Sequence, residues 1–186
     1  MITARAKDSL VRATRKALKS GLGVTEADWT FEVLDDEARP QGRQAVILTV
    51  SSYLFRLMTV VYFNEDQPTW RQFTRHQPEP GPLDLQRLHD LVGEFGNVAC
   101  GALNRDLGIA FPHIGMSTPN VVDSRCIAWL PTLGTGLVKH FRITLADGLA
   151  LHATLALCDY DDFDFDLPAE TESPEAEAET GELELF

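Results

Sequence analysis

The chain has 186 residues, of which 44% are hydrophobic, and this composition suits one globular domain with a packed core. The net charge is −12, but 12 of the 28 acidic residues and none of the 16 basic residues lie in 159–186. Subtraction leaves 16 acidic and 16 basic residues in 1–158. This neutral body without a basic stripe argues against nucleic acid as the main partner. No apolar run is long enough for membrane insertion.

Cysteine usage favours a cytoplasmic protein, and the basic N-terminus is predicted to be a folded first helix, with a mitochondrial-type presequence as the alternative. The first 22 residues are basic, but they lack the apolar stretch and the small-residue cleavage site of a secretory signal. Cys100, Cys126 and Cys158 form no C-x-x-C pair, so neither a zinc site nor a disulfide framework is indicated. Each is predicted to be a small buried hydrophobe. A reducing cytoplasm fits this pattern best.

The first half of the chain predicts a helix followed by β-structure. Residues 4–20 have amphipathic helical spacing, and Gly21 and Gly23 are predicted to end that helix. Apolar, β-prone runs follow at 29–34, 45–51 and 54–63, the last two as a tightly joined antiparallel pair. A short helix is expected within 64–77, before a proline-rich stretch that cannot be regular structure.

The second half predicts one long helix, a strand and a hairpin. Asp84 is the expected N-cap of a helix that runs to about Asn104. After a bend, strands are predicted at 120–128, 138–145 and 149–157, with an Asp-Gly turn in the final hairpin. Helices separated by antiparallel strands make the fold class α+β.

The acidic C-terminus is predicted to lie outside the domain. The domain is expected to span 1–158, and 159–186 to form a tail that buries too little apolar surface to order itself. Two interpretations of the tail remain open. It is either a solubilising segment or a docking peptide that orders on a partner or on the basic first helix of its own chain.

The long helix has two distinct faces when residues 85–103 are placed on a helical wheel. Its apolar residues fall within one arc that must pack on the sheet: Leu85, Leu88, Leu91, Val92, Phe95, Val98, Ala99, Ala102 and Leu103. On the opposite side is a row, called the polar row below, formed by Asp90, Glu94, Asn97 and Gly101. If the apolar arc is buried, the polar row is exposed to a partner.

Three glycines inside this helix suggest close approaches. Each costs about 1 kcal/mol relative to alanine. Gly96 is expected to permit close packing on the sheet, while Gly93 and Gly101 keep the exposed surface clear for a partner backbone. Tolerated packing glycines are the alternative interpretation.

Glu94 and Asn97 have the chemistry for acting on a partner protein. A carboxylate can pair with a partner's Lys or Arg, and a carboxamide can donate and accept hydrogen bonds at once. Such an amide can position a water molecule, as occurs in phosphoryl hydrolysis. A Glu and an Asn three residues apart are common on helices, so their spacing alone does not identify a site.

The segment DLVGEFGNVACGAL, residues 90–103, resembles the signature helix of the CheC/CheX/FliY family of chemotaxis phosphatases. The family pattern is Asp or Ser, Glu, Asn, a small residue and a later Pro, here matched by Asp90, Glu94, Asn97, Gly101 and Pro119. Residues 114–122 also resemble the family's segment around that Pro. The predicted order of elements matches over about 4–158.

The resemblance implies a CheC/CheX-like α+β fold, with an antiparallel-rich sheet packed against long helices. It also implies a phosphatase for the aspartyl-phosphate of a CheY-like response regulator, in chemotaxis or related two-component signalling. Glu94 would pair with the lysine beside the phosphorylation site, and Asn97 would orient the hydrolytic water. Asp90, Gly93 and Gly101 would contact the regulator. The Mg²⁺ would belong to the regulator, so no cofactor or metal of the chain's own is expected.

Some members of the family carry a second such helix, and its counterpart in this chain is the first helix. Asp8, Arg12 and Arg15 stand at the Asp, Glu and Asn places, so the single-site CheX type is the closer likeness and a homodimer is expected by resemblance. A non-catalytic regulator-binding or scaffold module of the same fold is the main alternative. A structural dimer with an incidental polar row is another. His89 and Glu94 do not share a helix face, so the histidines are predicted to be surface or core residues.

Overall fold

Two long helices lie on one face of a seven-stranded antiparallel sheet in the computed structural model, which describes residues 2–79 and 81–168. The helices are Ala4–Leu22 (α1), Gln67–Thr74 (α2) and Leu85–Gly108 (α3). The strands are Trp29–Val33 (β1), Gln44–Ser51 (β2), Phe55–Phe63 (β3), Gly115–Met116 (β4), Asn120–Asp123 (β5), Leu137–Leu145 (β6) and Ala150–Asp159 (β7). The strand order is β1-β6-β7-β3-β2-β4, and β5 also pairs with β2. The predicted α+β class is confirmed.

The first helix extends slightly beyond its predicted end. Thr3 caps α1 by accepting a hydrogen bond from the Ala6 amide at 3.2 Å, and the helix stops at Gly23, whose φ is +60°. The predicted stop at Gly21 is wrong. A Cβ at Gly21 would lie 2.9 Å from the carbonyl oxygen of Phe95, so this glycine lets α1 pack closely on α3.

Both predicted antiparallel pairs are present in the sheet. β2 and β3 pair from Gln44 opposite Phe63 to Ser51 opposite Arg56. β6 and β7 form the predicted hairpin, and its turn contains Gly148 at φ +88°, a backbone conformation that a side chain would strain.

The third helix begins as predicted and ends later. The Asp84 carboxylate accepts a hydrogen bond from the Arg87 amide at 3.2 Å. The helix continues to Gly108, four residues beyond the predicted end at Asn104, and Leu107 in this extra turn is fully buried. Burial of Leu107 in the core thus stabilises one more turn of α3 than the sequence predicted.

The apolar arc of α3 is buried against the sheet and α1, with two exceptions. The buried members are Leu88, Val92, Phe95, Ala99, Ala102 and Leu103, and Leu91 is half-buried. Leu85 and Val98, at the borders of the arc, are 48% and 41% exposed. The wheel therefore identifies the buried face correctly but overestimates its width.

The strand predicted at 120–128 is only half strand. The Asp123 carboxylate accepts a hydrogen bond from the Arg125 amide at 2.9 Å, and this cap begins a 3-10 helix, Ser124–Leu133. Leu130 of that helix packs on the sheet face opposite α1 and α3. A helical segment that covers the far face therefore replaces the rest of the predicted strand.

Residues 160–168, which the sequence placed in the tail, pack against the domain. Phe163, Phe165 and Leu167 are buried, and Phe163 forms a parallel β-bridge with Ile2. The alternation of apolar and acidic residues fits an extended segment with one face in the core. The ordered domain therefore extends past the predicted boundary at residue 158.

The acidic residues of this C-terminal segment contact the first helix. Asp164 pairs with Arg5, and Asp166 accepts from Arg12 at 3.1 Å. These ion pairs attach residues 160–168 to α1. The rest of the predicted tail, 169–186, lies outside the described residues.

The cysteines differ in exposure. Cys100 and Cys158 are buried as predicted, and burial raises the pKa of both thiols. Cys126 is exposed, contrary to the prediction, because it lies in the 3-10 helix, none of whose residues is buried. Among the described residues, no helix combines the length and the apolar character needed to cross a membrane.

Candidate functional site

The polar row of α3 is open to solvent. Asp90, Glu94 and Asn97 are exposed, and Gly101 is half-buried. The Asn97 amide nitrogen Nδ2 donates to Glu94 Oε2 at 3.4 Å, which is long for a hydrogen bond. The Asp90 carboxylate accepts from the side chain of Gln86 at 3.0 Å. The structure thus places the two predicted catalytic side chains next to each other on an accessible surface.

The three glycines of α3 have different surroundings. A Cβ at Gly93 would meet no heavy atom within 4 Å, and at Gly101 it would meet only the Arg105 guanidinium, at 3.8 Å. A Cβ at Gly96 would lie 2.8 Å from Leu48 Cδ2. The packing role predicted for Gly96 is confirmed. Packing does not require a glycine at Gly93 or Gly101.

Pro119 lies directly beside this helix. Its ring carbons Cβ and Cγ would be 3.1 Å from a Cβ at Gly96, so the missing side chain of Gly96 makes room for the proline. The segment 117–121, which contains Pro119, is held on β2. The Ser117 amide donates to the Thr49 carbonyl at 2.9 Å, and β5 pairs with β2 just after Pro119. Contact between two residues 23 apart in sequence therefore brings the polar row and Pro119 together.

An open groove runs along the surface between the polar row of α3 and the segment 117–121. It is lined by His89, Asp90, Gly93, Glu94 and Asn97 of the helix and by Thr118, Pro119 and Val121 of the segment. All the residues predicted to act on the partner, except Gly101, line this groove. Its polar row carries two carboxylates, which favours a partner with a basic group.

Sequence reasoning assigned no role to His89, which lines the same groove. Its Nε2 lies 2.7 Å from a carboxylate oxygen of Glu65, in the loop after β3. Nothing in the local sequence indicates this pair, since the two residues are 24 apart. Within residues 2–79 and 81–168, no three His, Cys, Asp or Glu side chains are grouped as a metal site.

On α1, the face that corresponds to the polar row of α3 carries Arg12 and Arg15. Both arginines make contacts within the chain. Arg12 donates to Asp166 at 3.1 Å. Arg15 pairs with Glu26, and its guanidinium lies 5.3 Å from the centre of the Trp29 ring. These arginines fasten α1 to neighbouring segments, whereas Glu94 and Asn97 face solvent.

Comparison with known proteins identifies the fold. No protein-family model matches the sequence, and the search of curated proteins finds no significant match. A CheC-like superfamily protein from Shewanella sp. PV-4 is 13% identical with a TM-score of 0.55, over 83% of this chain and 98% of its own.

Two CheX structures are similar to the same extent. The chemotaxis protein CheX from Vibrio vulnificus is 15% identical with a TM-score of 0.57, over 83% of this chain and 99% of its own. CheX in the CheX–CheY–BeF₃–Mg²⁺ complex from Borrelia burgdorferi is 14% identical with a TM-score of 0.57, over 82% of this chain and 97% of that one. The chain thus has the fold of the CheC-like and CheX chemotaxis proteins.

Proposed function

We propose that this chain is a phosphatase for the aspartyl-phosphate of a CheY-like response regulator, in chemotaxis or related two-component signalling. The observation that carries the proposal is the adjacent, exposed pair of Glu94 and Asn97, bordered by glycines that leave the surface open. The fold adds support, because one structure with this fold is of CheX in complex with CheY, BeF₃ and Mg²⁺.

Each side chain has a separate task in this proposal. Glu94 pairs with the lysine beside the regulator's phosphorylation site and so fixes the docked orientation. The hydrogen bond between Glu94 and Asn97 is long and exposed, so little is lost when Glu94 turns to the partner. Asn97 then enters the regulator's site with its amide free. Asp90, Gly93 and Gly101 form the surface around the contact.

The hydrolysis is a displacement at phosphorus. The Asn97 amide oxygen accepts a hydrogen bond from a water molecule and aligns it for attack. The water oxygen bonds to phosphorus as the bond to the aspartyl oxygen breaks, and the aspartate leaves as a carboxylate with the bonding electrons. The proton of the water passes to phosphate or solvent. Mg²⁺ on the regulator balances the phosphoryl charge, so this chain supplies no cofactor.

The proposal includes a cellular setting and an oligomeric state. The protein would act in the cytoplasm, where its cysteines stay reduced. It would act as a homodimer, as the CheX resemblance implies, and light scattering coupled to size-exclusion chromatography would test that state.

The alternative is a non-catalytic module that binds or scaffolds a regulator. The exposed, glycine-bordered surface of α3 would serve such a module equally, because docking needs no positioned water. Tight binding of a beryllofluoride-activated regulator, without faster phosphate loss from the phosphorylated form, would support this module over the enzyme.

The experiment is phosphate loss from a panel of phosphorylated CheY-type regulators, with and without the protein. Acceleration of at least one regulator is expected. Glu94→Ala should mainly raise the regulator concentration needed for half-maximal rate, because it removes a docking contact. Gln67→Ala is the control for the loss of an exposed polar side chain from a helix. Gln67 lies on α2, so this substitution should leave the rate unchanged. Absence of acceleration with every regulator would refute the phosphatase proposal.

A further inference from the structure

A cation extends the polar row of α3 on its C-terminal side. Arg105 follows Gly101 by four residues, which places it on the same helical face. Its Nη1 atom is 3.8 Å from the position that a Cβ at Gly101 would take. Gly101 lies about 6 Å along the axis from Asn97, at 1.5 Å per residue. The guanidinium therefore lies over Gly101, which is one turn C-terminal to Asn97.

No hydrogen bond or ion pair within the described part of the chain engages this guanidinium. Arg105 itself is exposed. Basic side chains in a last helical turn often interact with the terminal carbonyls. The Arg105 side chain instead lies back over Gly101, in the N-terminal direction that helical side chains usually take. By contrast, the guanidinium of Arg87, near the start of α3, lies 5.7 Å from the centre of the Trp70 ring.

The face of α3 is consequently divided by charge. Asp90 and Glu94 place negative charge on the N-terminal side of Asn97, and Arg105 places positive charge on its C-terminal side. An aspartyl-phosphate site that holds Mg²⁺ needs carboxylates around it, because this ion takes oxygen ligands. A partner with a lysine on one side and carboxylates on the other would match this polarity.

We propose that Arg105 is a partner-binding residue, which pairs with a carboxylate at the rim of the regulator's phosphorylation site. The inference rests on the proposed function. Together with Glu94 it provides two charged contacts of opposite sign on either side of Asn97, and these define one docking orientation. A planar guanidinium suits this role because it can hold a carboxylate through two parallel hydrogen bonds.

The test uses the CheY-type regulator that the wild-type protein dephosphorylates fastest, with initial rates measured against regulator concentration. Arg105→Gln should raise KM roughly two- to fivefold, as expected for a surface ion pair, and leave kcat unchanged. Arg105→Lys should recover part of the loss. Arg56→Gln is the control, because Arg56 is exposed on the sheet face opposite α3 and its loss changes the net charge equally.

Several outcomes would overturn the inference. An unchanged KM in Arg105→Gln would show that the contact does not form. A fall in kcat at constant KM would place the guanidinium on the phosphoryl group instead of the rim. An equal rise in KM for Arg56→Gln would indicate a general charge effect. If the wild-type protein acts on no regulator, the proposed function fails and this inference fails with it.

Discussion

Gly93→Ala is expected to stabilise the domain while weakening its action on a partner. Gly93 lies inside α3 and does not have a positive φ, and a Cβ there would meet no heavy atom within 4 Å. A helix-interior glycine costs about 1 kcal/mol relative to alanine. Nothing near Gly93 offsets that gain, so the free energy of unfolding should rise by about 0.5–1 kcal/mol. For a chain of this size, the melting temperature should rise by about 2–4 °C per kcal/mol.

Gly96→Ala, three residues along the same helix, is the paired comparison and should have the opposite effect. The new methyl carbon would lie 2.8 Å from Leu48 Cδ2 and 3.1 Å from the ring of Pro119. Overpacking of this kind costs about 1–3 kcal/mol, which exceeds the helix-propensity gain of about 1 kcal/mol. A net destabilisation of up to about 2 kcal/mol is expected.

Two assays on the same preparations separate stability from docking. Thermal unfolding followed by circular dichroism measures the first, and phosphate loss against regulator concentration measures the second. The Gly93→Ala methyl group occupies the groove, so the KM for the regulator should rise. A lower melting temperature would refute the helix-propensity argument. A higher melting temperature with unchanged KM would show that Gly93 lies away from the docking surface.

Two predictions concern the rest of the domain. Phe163→Ala should lower the free energy of unfolding by about 3 kcal/mol in a urea titration, because Phe163 is buried against other aromatic rings. Tyr160 is 55% exposed, so Tyr160→Ala should change this free energy by less than about 0.5 kcal/mol. Equal effects of the two substitutions would contradict the packing of residues 160–168. Cys126 should react with a thiol reagent in the native protein, whereas Cys100 and Cys158 should react only on unfolding, since burial raises their pKa. Mass spectrometry of the labelled peptides checks this, and native labelling of Cys100 would count against it.

The elements that local patterns specify were predictable from the sequence. The apolar spacing of α1 and α3, the Asp84 cap and the turn at Gly148 all involve contacts between near neighbours in the chain. The exposure of Glu94 and Asn97 followed from the same spacing, because the opposite face had to be buried.

The parts that sequence reasoning missed depend on contacts between distant segments. The acidic composition of 160–168 hid Phe163 and Leu167, which are buried because α1 and the aromatic core lie beside them. The sequence indicated that Gly96 permits close packing on the sheet, but not that Pro119 is one of the residues that pack against it. The position of Arg105 over Gly101, by contrast, is a contact at i, i+4 that the helical spacing does indicate.

The central claim is that Asn97 orients the attacking water, and Asn97→Ala tests it most directly. The measurement is the rate of phosphate loss at saturating protein, together with the affinity for the beryllofluoride-activated regulator. The account predicts a roughly 100-fold or greater fall in the rate, the scale expected when a positioned polar group is removed, with little change in affinity. Undiminished acceleration by Asn97→Ala would contradict the account.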